Sequence, residues 1–528
     1  MQRTPYLPAE TLPSEDWFAD DPALRRVLAR RLSPDAWKRI EPRLAALGKA
    51  APRDVDPLAR AADANPPALV GNDIRLHESY GKLQRLARQH RVFTDAYHGG
   101  NRLASLALGY LFAQAEAGYF CPACMTDGAA FVLGPRGHAA DVARLTQDAV
   151  EGALEGAMFL TERTGGSDVG STTTVARQEG GRWLLTGDKW FCSNANAGLI
   201  LTLARMPDGA PGTRGLGLFL VRGEAAGLRR LRLKEKLGVR SMATAECELR
   251  DCEAELVAPA GEGFKAMAEM VNLSRLYNAV TSVAIARRAL REGQKNGAWR
   301  SAFGKPLREQ PLYALSVARL EVDVRAAALF VFDCAAVFDE VARQGAGASA
   351  EATSADAFDR RDWGLVRALT PLAKAETARL SVRAASEACE FLGGNGYVQP
   401  WVTERLLRDA QVLPIWEGTS NVQALDLLRA LAKDGAGHAL VGDSMQRSRA
   451  LQEEWHEWAR EAMQATEWSA GRLLTRAYHL RAATLLDAED EPLWARAYRA
   501  LRVDGDEKAF EALAREHADE LCAWPDLS

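Results

Sequence analysis

The amino-acid sequence predicts an α+β fold that is mainly α. Three observations lead there. Apolar residues recur at helical spacing up to about residue 155, short β-type runs separated by Gly, Asp and Pro fill about 157–256, and long helical patterns return from Gly263 onward. With 528 residues the chain exceeds what one hydrophobic core can organise, so several domains are expected. They divide into an N-terminal arm and helical domain over 1–156, an antiparallel β domain over 157–260, a helical bundle over 261–437 and an extra helical domain over 438–528.

Residues 1–75 read as an irregular, proline-rich arm with short helical pieces. In the helical stretch that follows, Leu103, Leu106, Leu108 and Leu111 mark one side of a segment. Strands are expected at Trp183–Leu185, Leu199–Leu203 and Leu216–Val221. From 243 to 249, Ala243, Ala245, Cys247 and Leu249 alternate with Thr244, Glu246 and Glu248, the pattern of a strand with one buried face. Four long helices follow at about 263–299, 310–343, 362–391 and 419–433, and the Ala/Gly/Ser-rich stretch Gln344–Ala357 links two of them. Residues 438–528 are helical again and carry Trp455, Trp458, Trp468, Trp494 and Trp524.

Composition narrows the class. A hydrophobic content of 47% and a charged content of 26% are ordinary for a soluble globular protein. No apolar run approaches the length of about 18 residues that a membrane helix needs. Met1–Pro22 has no basic start followed by an apolar stretch, so it does not read as a signal peptide, and the cytoplasm is the expected location. A net charge of −4 argues against general attraction to polyanions. Eight cysteines are scattered; Cys121-Pro122-Ala123-Cys124 has redox or half-zinc spacing, but no second pair or nearby His completes four ligands. They read as reduced structural thiols, with no metal site expected.

Four segments carry chemistry. In Ile415-Trp416-Glu417-Gly418-Thr419-Ser420-Asn421 a carboxylate follows a bulky aromatic and precedes residues that can open a helix. That can keep a base poorly hydrated, as removal of a weakly acidic C–H proton requires, although an acid before a helix cap is usually just a solvated helix end. The others are Thr161-Glu162-Arg163-Thr164-Gly165-Gly166-Ser167-Asp168-Val169, Gly187-Asp188-Lys189-Trp190-Phe191-Cys192-Ser193, and Glu390-Phe391-Leu392-Gly393-Gly394-Asn395-Gly396-Tyr397 followed by Arg405 and Asp409. The glycine pair 165–166 reads either as a hairpin turn or as a place where backbone approaches a phosphate.

In this order, with Arg300-Ser301-Ala302-Phe303-Gly304 between them, the segments resemble the acyl-CoA dehydrogenase flavoproteins over about residues 80–435. Within that superfamily the chain most resembles the AidB adaptive-response branch, in its N-terminal extension, in Trp416 before the glutamate and in the extra C-terminal segment. The resemblance implies helical domain, β domain and four-helix bundle, FAD as cofactor, an acyl-CoA thioester as substrate, an external electron acceptor and a homotetramer. Glu417 matches the base that takes the α-proton while the β-hydride passes to flavin N5; the alternative base position is held by Ser274, beside Arg275. By position the backbone at Leu160, and Thr161, Gly166, Ser167, Phe191, Cys192, Ser193, Thr419 and Asn421, match FAD contacts. Arg300, Phe303, Glu390 and Gly394 match contacts to the FAD of a neighbouring subunit, and Arg275 matches a residue that lines the CoA entrance. Trp190, one residue out of step with Phe191, is expected to face elsewhere.

Three departures from the family pattern stand out. Phe159 replaces a small residue, Glu390 a glutamine, and Pro400 an acid or amide; bulk at Phe159 or Trp416 would narrow the acyl pocket. A second function implied by the AidB branch is binding DNA and shielding it from alkylation, with little dehydrogenase activity. Residues 437–528, however, hold 11 Lys and Arg against 18 Asp and Glu, a net of −7 that disfavours a phosphate-tracking surface.

Overall fold

A computed structural model describes residues 15–346 and 360–525. They form two compact units, one made of the described residues 15–53, 278–346 and 360–525 and the other of 54–277. The first unit opens with α1 (Pro22–Arg31) and α2 (Pro34–Ala50), so the expected irregular arm is largely regular helix. Pro22 and Pro34 stand at the first helical positions, where the missing N–H has no helical partner to lose, while Pro42 is accommodated inside α2. Asp21 and Ser33 cap these helices by accepting from the N–H groups of Leu24 and Ala36. Pro5, Pro8 and Pro13 lie outside the described residues.

The second unit holds α3 (Asp56–Ala64), the ribbon β1 (Ala68–Val70) and β2 (Asp73–Arg75), α4 (Glu78–Gln89), α5 (Arg102–Ala113), α6 (Ala117–Leu133) and α7 (Ala139–Thr146). Every residue of α5 is buried, so the leucines read as one side of a segment belong to a helix enclosed all round. Cys121 and Cys124 sit within α6.

Then come β3 (Gly156–Phe159), β4 (Val175–Glu179), β5 (Arg182–Ser193), β6 (Leu199–Arg205), β7 (Leu216–Arg222), β8 (Leu228–Leu233) and β9 (Thr244–Ala258). The sheet is mixed rather than antiparallel, because β3 and β4 both pair parallel to β6. Alternation reveals which residues face inward but not strand direction; β4 and β5 between β3 and β6 supply the crossover that parallel pairing needs. Pairings run β6–β4–β5–β9–β7 and back to β6, a closed ring around Phe159, Leu185, Cys192, Phe219 and Cys247. In β9 both faces are buried at the start: Glu246 is covered by Arg232 and Lys234, each 2.6 Å away.

α8 (Gly263–Trp299) passes from the second unit into the first. The hairpin β10 (Ser301–Ala302) and β11 (Lys305–Pro306) follows, then α9 (Pro311–Ala346), α10 (Arg360–Leu392), α11 (Thr403–Ala410) and α12 (Ser420–Lys433). The four long helices stand where their apolar period placed them; of the expected link 344–357, residues 344–346 extend α9 and the rest lie outside the described residues. The extra segment forms α13 (Ala436–Arg447), α14 (Gln452–Met463), α15 (Ala470–Ala488), α16 (Pro492–Tyr498), α17 (Glu507–Glu516) and α18 (Ala518–Cys522). Trp455 and Trp458 are fully buried there, whereas Trp468 is fully exposed. Among the described residues no helix is long and apolar enough to cross a membrane.

Candidate functional site

In the second unit the loop after β3 is held by one carboxylate. Glu162 accepts from the backbone N–H groups of Thr173 and Thr174, from both their hydroxyls, and from Lys189 Nζ at 3.0 Å. Burial alone would raise its pKa, but Lys189 and the four donors outweigh it and hold the carboxyl down at about 2. Lys189 is pushed below its ordinary value, since in its fully enclosed position burial outweighs the attraction of Glu162. Enclosed from solvent and bonded to Glu162 and to Leu203 O at 3.2 Å, the amine has no access to a reactant, so the pair fixes the loop.

That clamp arranges the residues matched to the cofactor. Thr161 is joined to β5 by Trp190 N–H donating to its carbonyl at 2.9 Å. Gly166 folds back on Thr161 so closely that a Cβ there would lie 2.5 Å from the threonine hydroxyl, so no larger residue fits. Ser167 is exposed, while Leu160 and Ser193 are half-buried; Ser193 Oγ lies 3.3 Å from the Thr244 hydroxyl. Cys192 is different: its side chain is in the barrel core beside Cys247, and burial pushes the thiol well up. Only its backbone can face a ligand.

A bulge between Lys189 and Cys192 breaks the alternation of β5. Trp190 consequently does not turn away from Phe191. Lys234 Nζ stands 3.4 Å from the Trp190 ring centroid and 5.1 Å from that of Phe191, with Arg163 on Trp190 at 4.8 Å. Phe191 is left 55% exposed, an aromatic face open to a planar ligand. Phe159, expected to narrow an acyl pocket, is taken up by the barrel core. Arg275 is buried on α8 with Nη1 3.4 Å from Asn272 Oδ1, and Ser274 Oγ accepts from Cys124 Sγ at 3.5 Å.

In the first unit Glu417 and Gly418 both take positive φ, +57° and +95°. For a non-glycine residue that is a strained conformation, and strain of this kind persists only where surroundings over-determine it. Here Gln423 Nε2 donates to the carbonyls of Glu417 and Gly418, at 2.8 and 3.0 Å, and the buried Lys374 Nζ donates to Gly418 O at 2.5 Å. With both carbonyls held from within, Glu417 and Trp416 remain half-buried. Thr419 is the N-cap residue of α12, and Thr419 and Asn421 are exposed at its start.

A separate surface of the same unit joins the end of α8 to the end of α10. Phe303 tops the β10–β11 hairpin, 98% exposed, with φ of +52° followed by +79° at Gly304, a turn both of whose central residues are left-handed. A side chain on Gly393 would sit 3.4 Å from Arg300 Nη1, which puts Arg300 directly over this turn. Glu390 and Gly394 are exposed beside it. The residues that organise the site but escaped the sequence reading are Lys374, Gln423, Lys234 and the pair Thr173–Thr174. Glu162 and Lys189 lay within quoted motifs, yet nothing in their spacing showed that they meet.

Comparison with known proteins places the chain in a family. Residues 261–432 match the acyl-CoA dehydrogenase C-terminal domain, 157–252 the acyl-CoA dehydrogenase middle domain, and 9–152 the adaptive response protein AidB N-terminal domain. Acyl-CoA dehydrogenase family member 11 of Caenorhabditis elegans is 31% identical over 79% of this chain and 70% of its own length. The putative acyl-CoA dehydrogenase AidB of Escherichia coli is 32% identical over 73% of each chain. Among solved structures, the apo-form of Bd2924 superposes with a TM-score of 0.82 at 33% identity, covering 90% of this chain and 98% of its own. C. elegans ACDH-11 in complex with C11-CoA gives 0.82 at 26% identity, covering 100% and 95%. The chain belongs to the acyl-CoA dehydrogenase family and carries the N-terminal domain of its AidB branch.

Proposed function

We propose that the protein is an FAD-dependent acyl-CoA dehydrogenase-like oxidoreductase in which Glu417 removes the α-proton of an acyl-CoA thioester. The observation that carries this reading is the strained, doubly anchored loop that presents one carboxylate beside Trp416. At the alternative base position Ser274 is buried against Cys124 and offers no carboxylate. A base serves best when its orientation is fixed before substrate arrives, and the Lys374 and Gln423 anchors do that.

The residues of the second unit fit FAD. The close Thr161–Gly166 turn, the exposed Ser167 hydroxyl, the Ser193 hydroxyl and the open Phe191 face combine donors with a flat apolar surface. Leu160 through its backbone, Thr161, Gly166, Ser167, Phe191 and Ser193 would hold the cofactor, with Cys192 limited to backbone contact. Thr419 and Asn421 would add contacts beyond the base, and Arg300, Phe303, Glu390 and Gly394 would reach the FAD of a neighbouring subunit in a homotetramer. When bound, FAD accepts the hydride from the substrate β-carbon and passes electrons to a separate acceptor. Arg275 on α8 would face CoA.

Anaerobic titration of the purified yellow protein with saturated acyl-CoAs tests the reading. The C11-CoA bound to the C. elegans relative makes medium-length chains the first to try. Bleaching of the flavin band by at least one thioester is expected; a flavin unchanged by the whole panel would sink the dehydrogenase assignment.

The DNA-protection reading gains nothing from the C-terminal segment. Arg476 pairs with Glu457 and Glu461, Arg472 lies 3.5 Å from Glu461, and Arg481 is buried between Asp333 and Asp443. Duplex DNA should accordingly bind weakly at physiological salt, because these three arginines are already paired and the segment is net acidic, leaving few counterions to release. Tight binding in a salt titration, abolished by charge reversal at Arg472 and Arg476, would promote the alternative.

A further inference from the structure

The last described residues return to the place where α8 and α10 end. Trp524 stacks on Tyr313, with ring centroids 6.4 Å apart and planes 18° from parallel. Tyr313 packs in turn against Phe391 at 5.2 Å. These rings lie on bare helix backbone. A Cβ on Gly297 would come within 2.7 Å of Tyr313 and 2.8 Å of Trp524, and one on Gly293 would collide with Phe391. Two glycines one helical turn apart on α8 therefore form the floor of a three-ring ladder.

Polar contacts fix its ends. Tyr313 Oη donates to Gly293 O at 2.7 Å, and burial pushes that hydroxyl up to about 12, so it stays a donor at any physiological pH. Gln294 Nε2 donates to Cys522 O at 2.8 Å, and Cys522 Sγ donates to Ala314 O at 3.3 Å. At the far end Asn296 Nδ2 donates to Phe391 O at 2.7 Å. Two residues beyond Phe391 comes Gly393, the glycine beneath Arg300. The ladder thus starts at the C-terminal segment and finishes under the Arg300–Gly394 surface.

We propose that Trp524 is a positioning residue for that surface, so that retention of a neighbour's cofactor depends on a residue outside the matched dehydrogenase domains, which end at 432. This rests on the reading of Arg300 and Gly394 as cofactor contacts. The ladder meets the cofactor surface through Phe391 and the helix ends, and Tyr313 also feels the charge of Arg300. Its effect is to fix where Arg300 and the 393–394 backbone stand, and a ligand contact displaced by as little as about 1 Å loses much of its value.

The test uses the full chain. Trp524→Ala should lower FAD affinity about tenfold, on the order seen when an outer residue that orients a ligand contact is removed. It should also lower the tetramer fraction in sedimentation, as Arg300→Ala should by removing the cofactor contact itself. Trp524→Phe, which keeps a stacked ring, should restore both. Trp458→Phe removes the hydrogen bond from Trp458 Nε1 to Leu473 O and supplies a control that is thermally weakened within the same segment; it should keep wild-type FAD affinity. Wild-type affinity in Trp524→Ala, or an equal loss in Trp458→Phe, would overturn the proposal. Amide exchange separates this from failure of the cofactor reading: even if the wild-type protein took up no FAD, Trp524→Ala should speed exchange at 300–303 and 393–396, and unchanged rates there would refute the positioning role.

Discussion

Glu417→Gln is expected to keep its flavin and lose at least ~10²-fold in the rate of flavin reduction by acyl-CoA, the usual contribution of one general base. Glutamine keeps the size of the side chain and does not touch the anchors, which grip the backbone: Gln423 donates to the Glu417 and Gly418 carbonyls and Lys374 to Gly418 O. Loss of rate without loss of the loop is therefore the signature of missing basicity. The buried Ser274 is the only side chain at the other family position for the base, and a hydroxyl there cannot substitute for a carboxylate at neutral pH. Stopped-flow reduction under anaerobic conditions reads the effect directly. Wild-type-like reduction by the Gln variant would remove Glu417 from the chemistry altogether.

The second large effect is on stability. Lys189→Met should destabilise the β domain by about 3–5 kcal/mol, because it leaves the Glu162 charge buried without its cation. The lysine side chain is 0% exposed and the glutamate 5%, so water does not take over the lost partner. The double variant Lys189→Met with Glu162→Gln should recover much of the loss, as an apolar and amide pair carries no orphaned charge. The pH dependence has a defined sign. The folded carboxyl is held at about 2 against an ordinary 4.5, so its contribution is complete above about 4.5 and disappears as pH falls toward 2. In Lys189→Met the lysine's share of that depression is gone while the Thr173 and Thr174 donors remain, so the acid-side slope should become shallower. Denaturant titrations across this range, followed by the fluorescence of Trp183 and Trp190, provide the measurement.

Legibility in the sequence followed physical range. The helices near 263–299 and 419–433 were readable to within a few residues because their apolar period is local and long. Residues 22–50 were misread because proline breaks most helix interiors but favours a first turn, where Pro22 and Pro34 stand, and because α2 holds Pro42 within it. Parallel pairing of β3 with β6 was invisible, since strand direction depends on a partner more than forty residues away. At the site, the side chains matched to ligands came from compact motifs, whereas the groups that hold them came from elsewhere: Lys374 lies 44 residues from Gly418, and Thr173 and Thr174 lie 11 and 12 from Glu162. The Trp190–Phe191 side-by-side arrangement failed to show because a bulge is a property of two paired strands.

The N-terminal segment has a consequence for how the protein is made. Trp17 is fully buried against Arg288, Asp20 meets Arg291, and Arg31 meets both Asp333 and Glu489, all residues synthesised hundreds of positions later. Residues 54–277 are continuous in sequence and can close their own core as they leave the ribosome. Residues 15–50 cannot. At ordinary elongation rates they wait from roughly a quarter of a minute to a minute for Asp333 to emerge, with Trp17, Leu24 and Leu28 uncovered throughout. A stretch made well before its partners is among the last to find its place, and during that interval it is a part of the nascent chain in need of a chaperone.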